Sequence, residues 1–156
     1  MIIRTEKRTL HGRKTANVSS PANASTILGI KQSSLGKTIE RLAEGLPFEC
    51  IHNLQKISDL PLDQILKAIN LPRRTLFRRK ASGRLAPEES EQLYRLANLI
   101  AKAVGLFEGD MAGGIRWLNI PAPALGYVTP LSVAGTDLGT REVENIIIRL
   151  EHGVYM

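Results

Sequence analysis

The chain has 156 residues, 43% of them hydrophobic and 4% aromatic, with 21 Lys and Arg against 15 Asp and Glu and a net charge of +6. This length suits one ordinary domain or two small ones, and the scarcity of aromatics favours helices built on Leu, Ile and Ala over a β-sandwich. No apolar run approaches the ~20 residues that span a bilayer, the N-terminus lacks the apolar core of a secretory signal, and the single cysteine, Cys50, excludes an internal disulfide, so a cytoplasmic protein without membrane contact is expected.

Residues 1–32 are polar and basic (Arg4, Lys7, Arg8, Arg13, Lys14), weakly periodic and interrupted by Pro21. They read as a flexible basic arm. A helix is expected from Ser33 or Ser34, where Leu35, Ile39, Leu42 and Leu46 repeat on one helical face. Ser34 suits its N-cap, and Gly45 and Pro47 end it. Pro47 opens a second helix with Phe48, Ile51, Leu54 and Ile57 inward. Cys50 reads there as a small buried apolar residue.

Pro61 starts a third helix, with Leu62, Ile65, Leu66 and Ile69 as its buried face. Asn70 stands where a turn between two helices often has glycine, and Asn tolerates the left-handed conformation that such a turn needs. A fourth helix follows from Arg73 to about Lys80, anchored by Leu76 and stopped by Gly83. Its other face carries Arg73, Arg74, Thr75, Arg78, Arg79 and Lys80, with Arg84 beyond it and no acid between Leu71 and Arg84. Helix, turn and basic second helix form the pattern of a helix-turn-helix. Arg73, Arg74 and Thr75 occupy the N-terminal end that enters the major groove. Arg78 and Arg79 follow one turn later, and Lys80 and Arg84 suit backbone contact.

Pro87-Glu88-Glu89 opens a long helix, because proline fits its first position and acids favour its first turn. Leu93, Leu96, Ala97, Ile100, Ala103, Val104 and Phe107 form its apolar stripe, and Gly109 ends it. A shorter helix is expected over 110–118. Residues 119–128 (NIPAPALGYV) read as an ordered irregular connection. Thr129-Pro130 starts a short helix, and a last helix from Thr136 or Thr140 buries Val143, Ile146, Ile147 and Leu150 before Gly153.

The charge is divided unevenly. Residues 1–84 carry 16 Lys and Arg and 6 Asp and Glu, whereas residues 85–156 carry 5 and 9. A basic half can release counterions at a polyanion, and an acidic half implies a different partner. The three histidines, His11, His52 and His152, are scattered. No HExxH, paired Cys/His spacing or glycine-rich phosphate loop occurs, and Gly113-Gly114 is an isolated pair. No catalytic residue, metal site or cofactor is expected.

From about Ser34 onward the chain resembles the Xre/MbcA/ParS antitoxins, whose partners are RES-domain or related ADP-ribosyl-type toxins. The stretches that carry the likeness are LPRRTLFRRKASGRLAPEESEQLYRLANL, Trp117-Leu118 with Pro121-Ala122-Pro123-Ala124-Leu125-Gly126, Thr129-Pro130-Leu131, and the ending RLEHGVYM. The family's second glycine after Leu125-Gly126 is Tyr127 here, and the N-terminal arm falls outside the likeness.

With the flexible basic arm (1–32) read from composition, the resemblance implies a mainly α protein whose remaining parts are a helix-turn-helix region (33–107) and a toxin-binding domain with a C-terminal tail (108–156). It also implies that Arg149, Glu151, His152, Gly153, Val154, Tyr155 and Met156 bind the toxin and block its NAD-consuming cleft. Trp117, Leu125, Gly126, Thr129 and Pro130 would shape the domain. The helix-turn-helix would bind operator DNA, as a homodimer on a two-fold site. The alternative is a stand-alone repressor whose acidic half only dimerises.

Overall fold

The computed structural model describes residues 22–153. Among them the fold is all helix, with two isolated antiparallel bridges, Pro47 to Arg84 and Ala122 to Val128. The helices are α1 (Ala24–Leu28), α2 (Leu35–Glu44), α3 (Glu49–Ser58), α4 (Leu62–Ala68), α5 (Arg73–Ser82), α6 (Pro87–Leu106), α7 (Met111–Leu118), α8 (Pro130–Val133) and α9 (Asp137–Glu151). A single 3₁₀ turn, Pro123–Leu125, lies between α7 and α8.

The expected helix ends are where local chemistry puts them. The Ser34 hydroxyl accepts from the backbone N–H of Lys37, and Thr129 and Thr136 do the same for Ser132 and Gly139. Each satisfies a backbone donor that has no partner within its own helix. Gly83 stops α5 at φ +78°, a left-handed conformation that costs glycine little.

One expectation needs correction. The last part of the arm is not loose: Asn23 caps α1, and Ala24, Ile27 and Leu28 are buried against α3 and α6. Asn53 of α3 donates its side-chain N–H to the Leu28 carbonyl at 3.0 Å. This five-residue helix, with only Ala24, Ile27 and Leu28 apolar, is too short to show a period in the sequence. Residues 1–21, the rest of the arm, lie outside the described residues. The apolar face of α2 is divided between core and solvent. Leu35 and Ile39 are 78% and 56% exposed, while Thr38 is buried. Thr38 Oγ1 donates to the Ser34 carbonyl, and Arg41 reaches the Lys31 carbonyl. These bonds and the packing on α6 leave Leu35 and Ile39 outward, while Leu42 and Leu46 pack on the core.

The 20-residue α6 is the axis of the molecule, with α1, α2, α7 and α9 packed against it. Leu93, Leu96, Ala97, Ile100, Ala103 and Val104 of its stripe are all buried. Its first turn ties down the N-terminal half, where Ser90 Oγ accepts from the Leu46 N–H at 2.7 Å. Its far end holds α7 and α9, and Lys102 pairs with Glu144 at 2.9 Å. One hydrophobic cluster runs from Ala24 to Ile147, so both halves of the chain share a core.

The isolated glycine pair has a packing role. A Cβ on Gly114 would lie 2.8 Å from the Val104 backbone nitrogen. Glycine there lets α7 approach α6 closely. His52 packs edge-on against the Phe48 ring, with centroids 5.3 Å apart. No described helix is long and apolar enough to cross a membrane, and no described cluster of His, Cys, Asp or Glu suits a metal.

Candidate functional site

Two surfaces carry the predicted site residues. The first is built on α4 and α5. Ile65, Leu66 and Ile69 anchor α4 in the core, and Leu71 and Leu76 anchor the turn and α5. Asn70 stands at φ +53°, as the turn requires. Its side-chain N–H also donates to the Gly135 carbonyl, 65 residues away, at 2.6 Å. This bond links the turn between α4 and α5 to the segment after α8.

Leu76 holds α5 by one face, so the opposite face is presented to solvent. It displays Arg74 and Arg78 one turn apart, with Lys80 exposed on the flank. Arg78 Nη2 donates to Thr75 Oγ1 at 3.4 Å. Arg73 is exposed but pairs with Asp63 of α4, its Nε lying 3.1 Å from Oδ1.

The other two arginines bond within the fold. Arg79 turns toward α6 and grips Glu89 with two nitrogens at 2.8–3.1 Å. The two side chains are only 29% and 15% exposed. The Glu89 hydrogen bond raises the Arg79 pKa further above its ordinary value. Glu89 also accepts from the Ala86 N–H at 2.8 Å, so one carboxylate caps α6 and clamps α5. Arg84 donates to the Gly45 carbonyl at 2.8 Å and closes the bridge to Pro47. The sequence shows no acid within the basic run, but the fold brings Asp63 and Glu89 to it from either side.

One residue on this face escaped the sequence reading. Phe77 is 67% exposed in the middle of α5. Its position relative to Leu76 was the available signal: one residue on, it must leave the buried face.

The second surface lies on α7, the loop 119–128 and α9. The loop is pinned by the Ala122 N–H donating to the Val128 carbonyl and by the Tyr127 N–H donating to the Ala122 carbonyl, each at 3.0 Å. Gly126 and Tyr127 are consecutive left-handed residues, at φ +72° and +66°. The backbone therefore keeps the turn that two glycines would form, with a tyrosine in the second place. That side chain is 74% exposed. Trp117, Ile120, Pro121, Pro123, Ile146 and Leu150 line an apolar groove of about 270 Å³, with Arg149 at its edge.

The groove therefore abuts the end of α9. Arg149, Glu151, His152 and Gly153 are all exposed there, and Gly153 turns the chain at φ +70°. Val154, Tyr155 and Met156 lie outside the described residues.

Residues 37–98 match the Antitoxin Xre-like helix-turn-helix domain, and residues 102–153 match the Antitoxin Xre/MbcA/ParS C-terminal toxin-binding domain. With the fold, these matches define a helix-turn-helix protein that carries a toxin-binding domain, the junction falling inside α6. Over 139 residues the chain is 34% identical to the Antitoxin Xre of Yersinia enterocolitica, spanning 88% of this chain and 87% of that one. It is 35% identical over 114 residues to the Antitoxin Xre of Photorhabdus laumondii, with coverages of 72% and 77%. A more distant relative is the Prs ADP-ribosylating antitoxin of a Sphingobium species, 29% identical over 110 residues and covering 64% of this chain and 69% of that one. The chain belongs to the Xre antitoxin family.

Proposed function

We propose that this antitoxin neutralises a RES-domain toxin that degrades NAD, and that it binds the operator of its own operon as a homodimer. One observation carries the toxin half of this reading. The toxin-binding match runs to Gly153, where the exposed end of α9 adjoins an apolar groove. On this reading the groove seats the toxin. Arg149, Glu151, His152, Gly153, Val154, Tyr155 and Met156 fill the cleft that would otherwise take NAD, so inhibition needs occupancy and no chemistry. Because the wall of the groove includes Arg149 and Leu150, docking and blocking act through one helix.

Arg74, Arg78 and Lys80 meet the operator, with Arg73 and Thr75 at the entering end of α5. Arg79 and Arg84 hold that helix in place. The exposed Leu35 and Ile39 of α2 support the homodimer, since a second copy would cover them. A basic half on DNA and an acidic half on the toxin let one chain hold both.

The test is deletion of residues 152–156 in cells that express the neighbouring reading frame. Full-length chain should preserve intracellular NAD and growth. The truncated chain should lose this protection while still retarding DNA from the operon's upstream region. Undiminished protection by the truncated chain would refute the blocking tail.

A further inference from the structure

The most unusual side chain on the basic face of α5 is not basic. Phe77 is 67% exposed, although burying a phenylalanine stabilises a fold by about 1.5–3 kcal/mol. Helical spacing places Arg73 and Arg74 one turn before it and Lys80 and Ala81 one turn after. An apolar ring flanked by Arg74 and Lys80, and by the Arg73–Asp63 ion pair, is a poor seat for an apolar protein surface, because docking one would strip water from the charges. A polyanion with apolar features suits it, since phosphates meet the cations while something uncharged meets the ring.

In the DNA major groove that feature is the C5-methyl of thymine, the one apolar group that a base pair presents there, and phenylalanine is among the side chains that contact it. Guanine suits Arg74 and Arg78 but offers the ring only polar atoms. Phe77 is the fifth residue of α5, one turn in from the end that enters a groove. We propose that Phe77 is a specificity-determining residue that packs on a thymine methyl beside the bases read by Arg74 and Arg78. This inference rests on the reading of α5 as a DNA-binding helix.

The experiment selects duplexes from a random 20-base-pair library with the full-length chain, alone and co-purified with the product of the neighbouring reading frame. The enriched duplex is then made with thymine or with uracil, which lacks only the methyl, at each thymine in turn. Binding is read by fluorescence anisotropy for the wild-type chain, Phe77→Ala and Phe77→Leu. Loss of one buried methyl should weaken wild-type binding about three- to fivefold at one position per half-site. Phe77→Ala should bind the thymine and uracil duplexes equally, and Phe77→Leu should retain part of the difference.

A wild-type chain that enriches a motif yet ignores every methyl overturns this inference alone. So does a Phe77→Ala variant that keeps the full thymine preference. Self-association of the DNA-free chain that Phe77→Ala abolishes also overturns it, by giving the ring to a second copy. A chain that enriches no duplex, alone or in complex, overturns the DNA reading and this inference with it. Phe77 is 67% exposed and lies outside the buried core, so the variants should keep the wild-type helical circular dichroism.

Discussion

Asn70 offers the most discriminating test of how the two halves of the antitoxin are joined. It does two things at once: it holds the helix-turn-helix turn at φ +53° and donates to the Gly135 carbonyl at 2.6 Å. Three substitutions separate these tasks. Asn70→Gly keeps the left-handed backbone and loses the bond, worth about 0.5–1.5 kcal/mol. Asn70→Ala loses the bond and also forces a residue without a local hydrogen-bonding group into that conformation, adding about 1–2 kcal/mol. Asn70→Asp tolerates the turn but turns a donor into an acceptor that faces a carbonyl.

At about 2–4 °C per kcal/mol for a chain of this size, Asn70→Gly should lower Tm by about 3 °C and Asn70→Ala by about 7 °C. Asn70→Asp should fall by at least as much as Asn70→Gly. Circular dichroism at the helical band during a thermal ramp measures all three. Equal Tm values for Gly and Ala would refute the backbone argument. A wild-type Tm for Asn70→Asp would refute the bond to Gly135.

Three further outcomes are expected. Arg79→Ala should lower Tm by freeing α5 from Glu89, while weakening binding to a random DNA duplex less than Arg78→Ala; anisotropy with both variants checks the order, and the reverse order would return Arg79 to the DNA face. Gly114→Ala should cost about 2 kcal/mol, because the added carbon meets the backbone of Val104 and overpacking outweighs the gain in helix propensity. The control is Gly113→Ala, which meets mainly the movable end of Asp110, and it should lie within about 0.5 kcal/mol of wild type by urea unfolding. Tyr127→Gly should raise stability by about 0.5 kcal/mol, since it relieves a left-handed tyrosine at the entropic cost of a glycine. A fall in Tm would mean that the ring packs in the fold.

The groove beside α9 and the exposed basic face of α5 lie on elements that grip opposite ends of one long helix. The Arg79–Glu89 clamp sits at the start of α6, and the Gly114 contact and the Lys102–Glu144 pair sit toward its end. An antitoxin built this way presents its two surfaces on a common core, and Asn70 adds a direct bond between the two halves.

The sequence by itself determined the local features. Apolar spacing and capping residues set α3 to α9 to within a few residues, because periodicity and caps act over one or two turns. Asn70 announced its left-handed turn, Leu76 its anchor and Gly83 the end of α5. The tertiary structure decided what depends on distant neighbours. Arg78 and Arg79 are adjacent and chemically identical, yet one points to solvent while the other grips Glu89, ten residues on. Leu35, Ile39, Leu42 and Leu46 share one helical face in the sequence, but which of them the core covers depends on how α2 is turned. The short α1 has too few residues for a periodic signal, and its burial comes from α3 and α6. Charge pairing, burial and close approach are properties of residues brought together by the fold. Only the three-dimensional structure could therefore divide the basic run into side chains that hold α5 and side chains left to meet a partner.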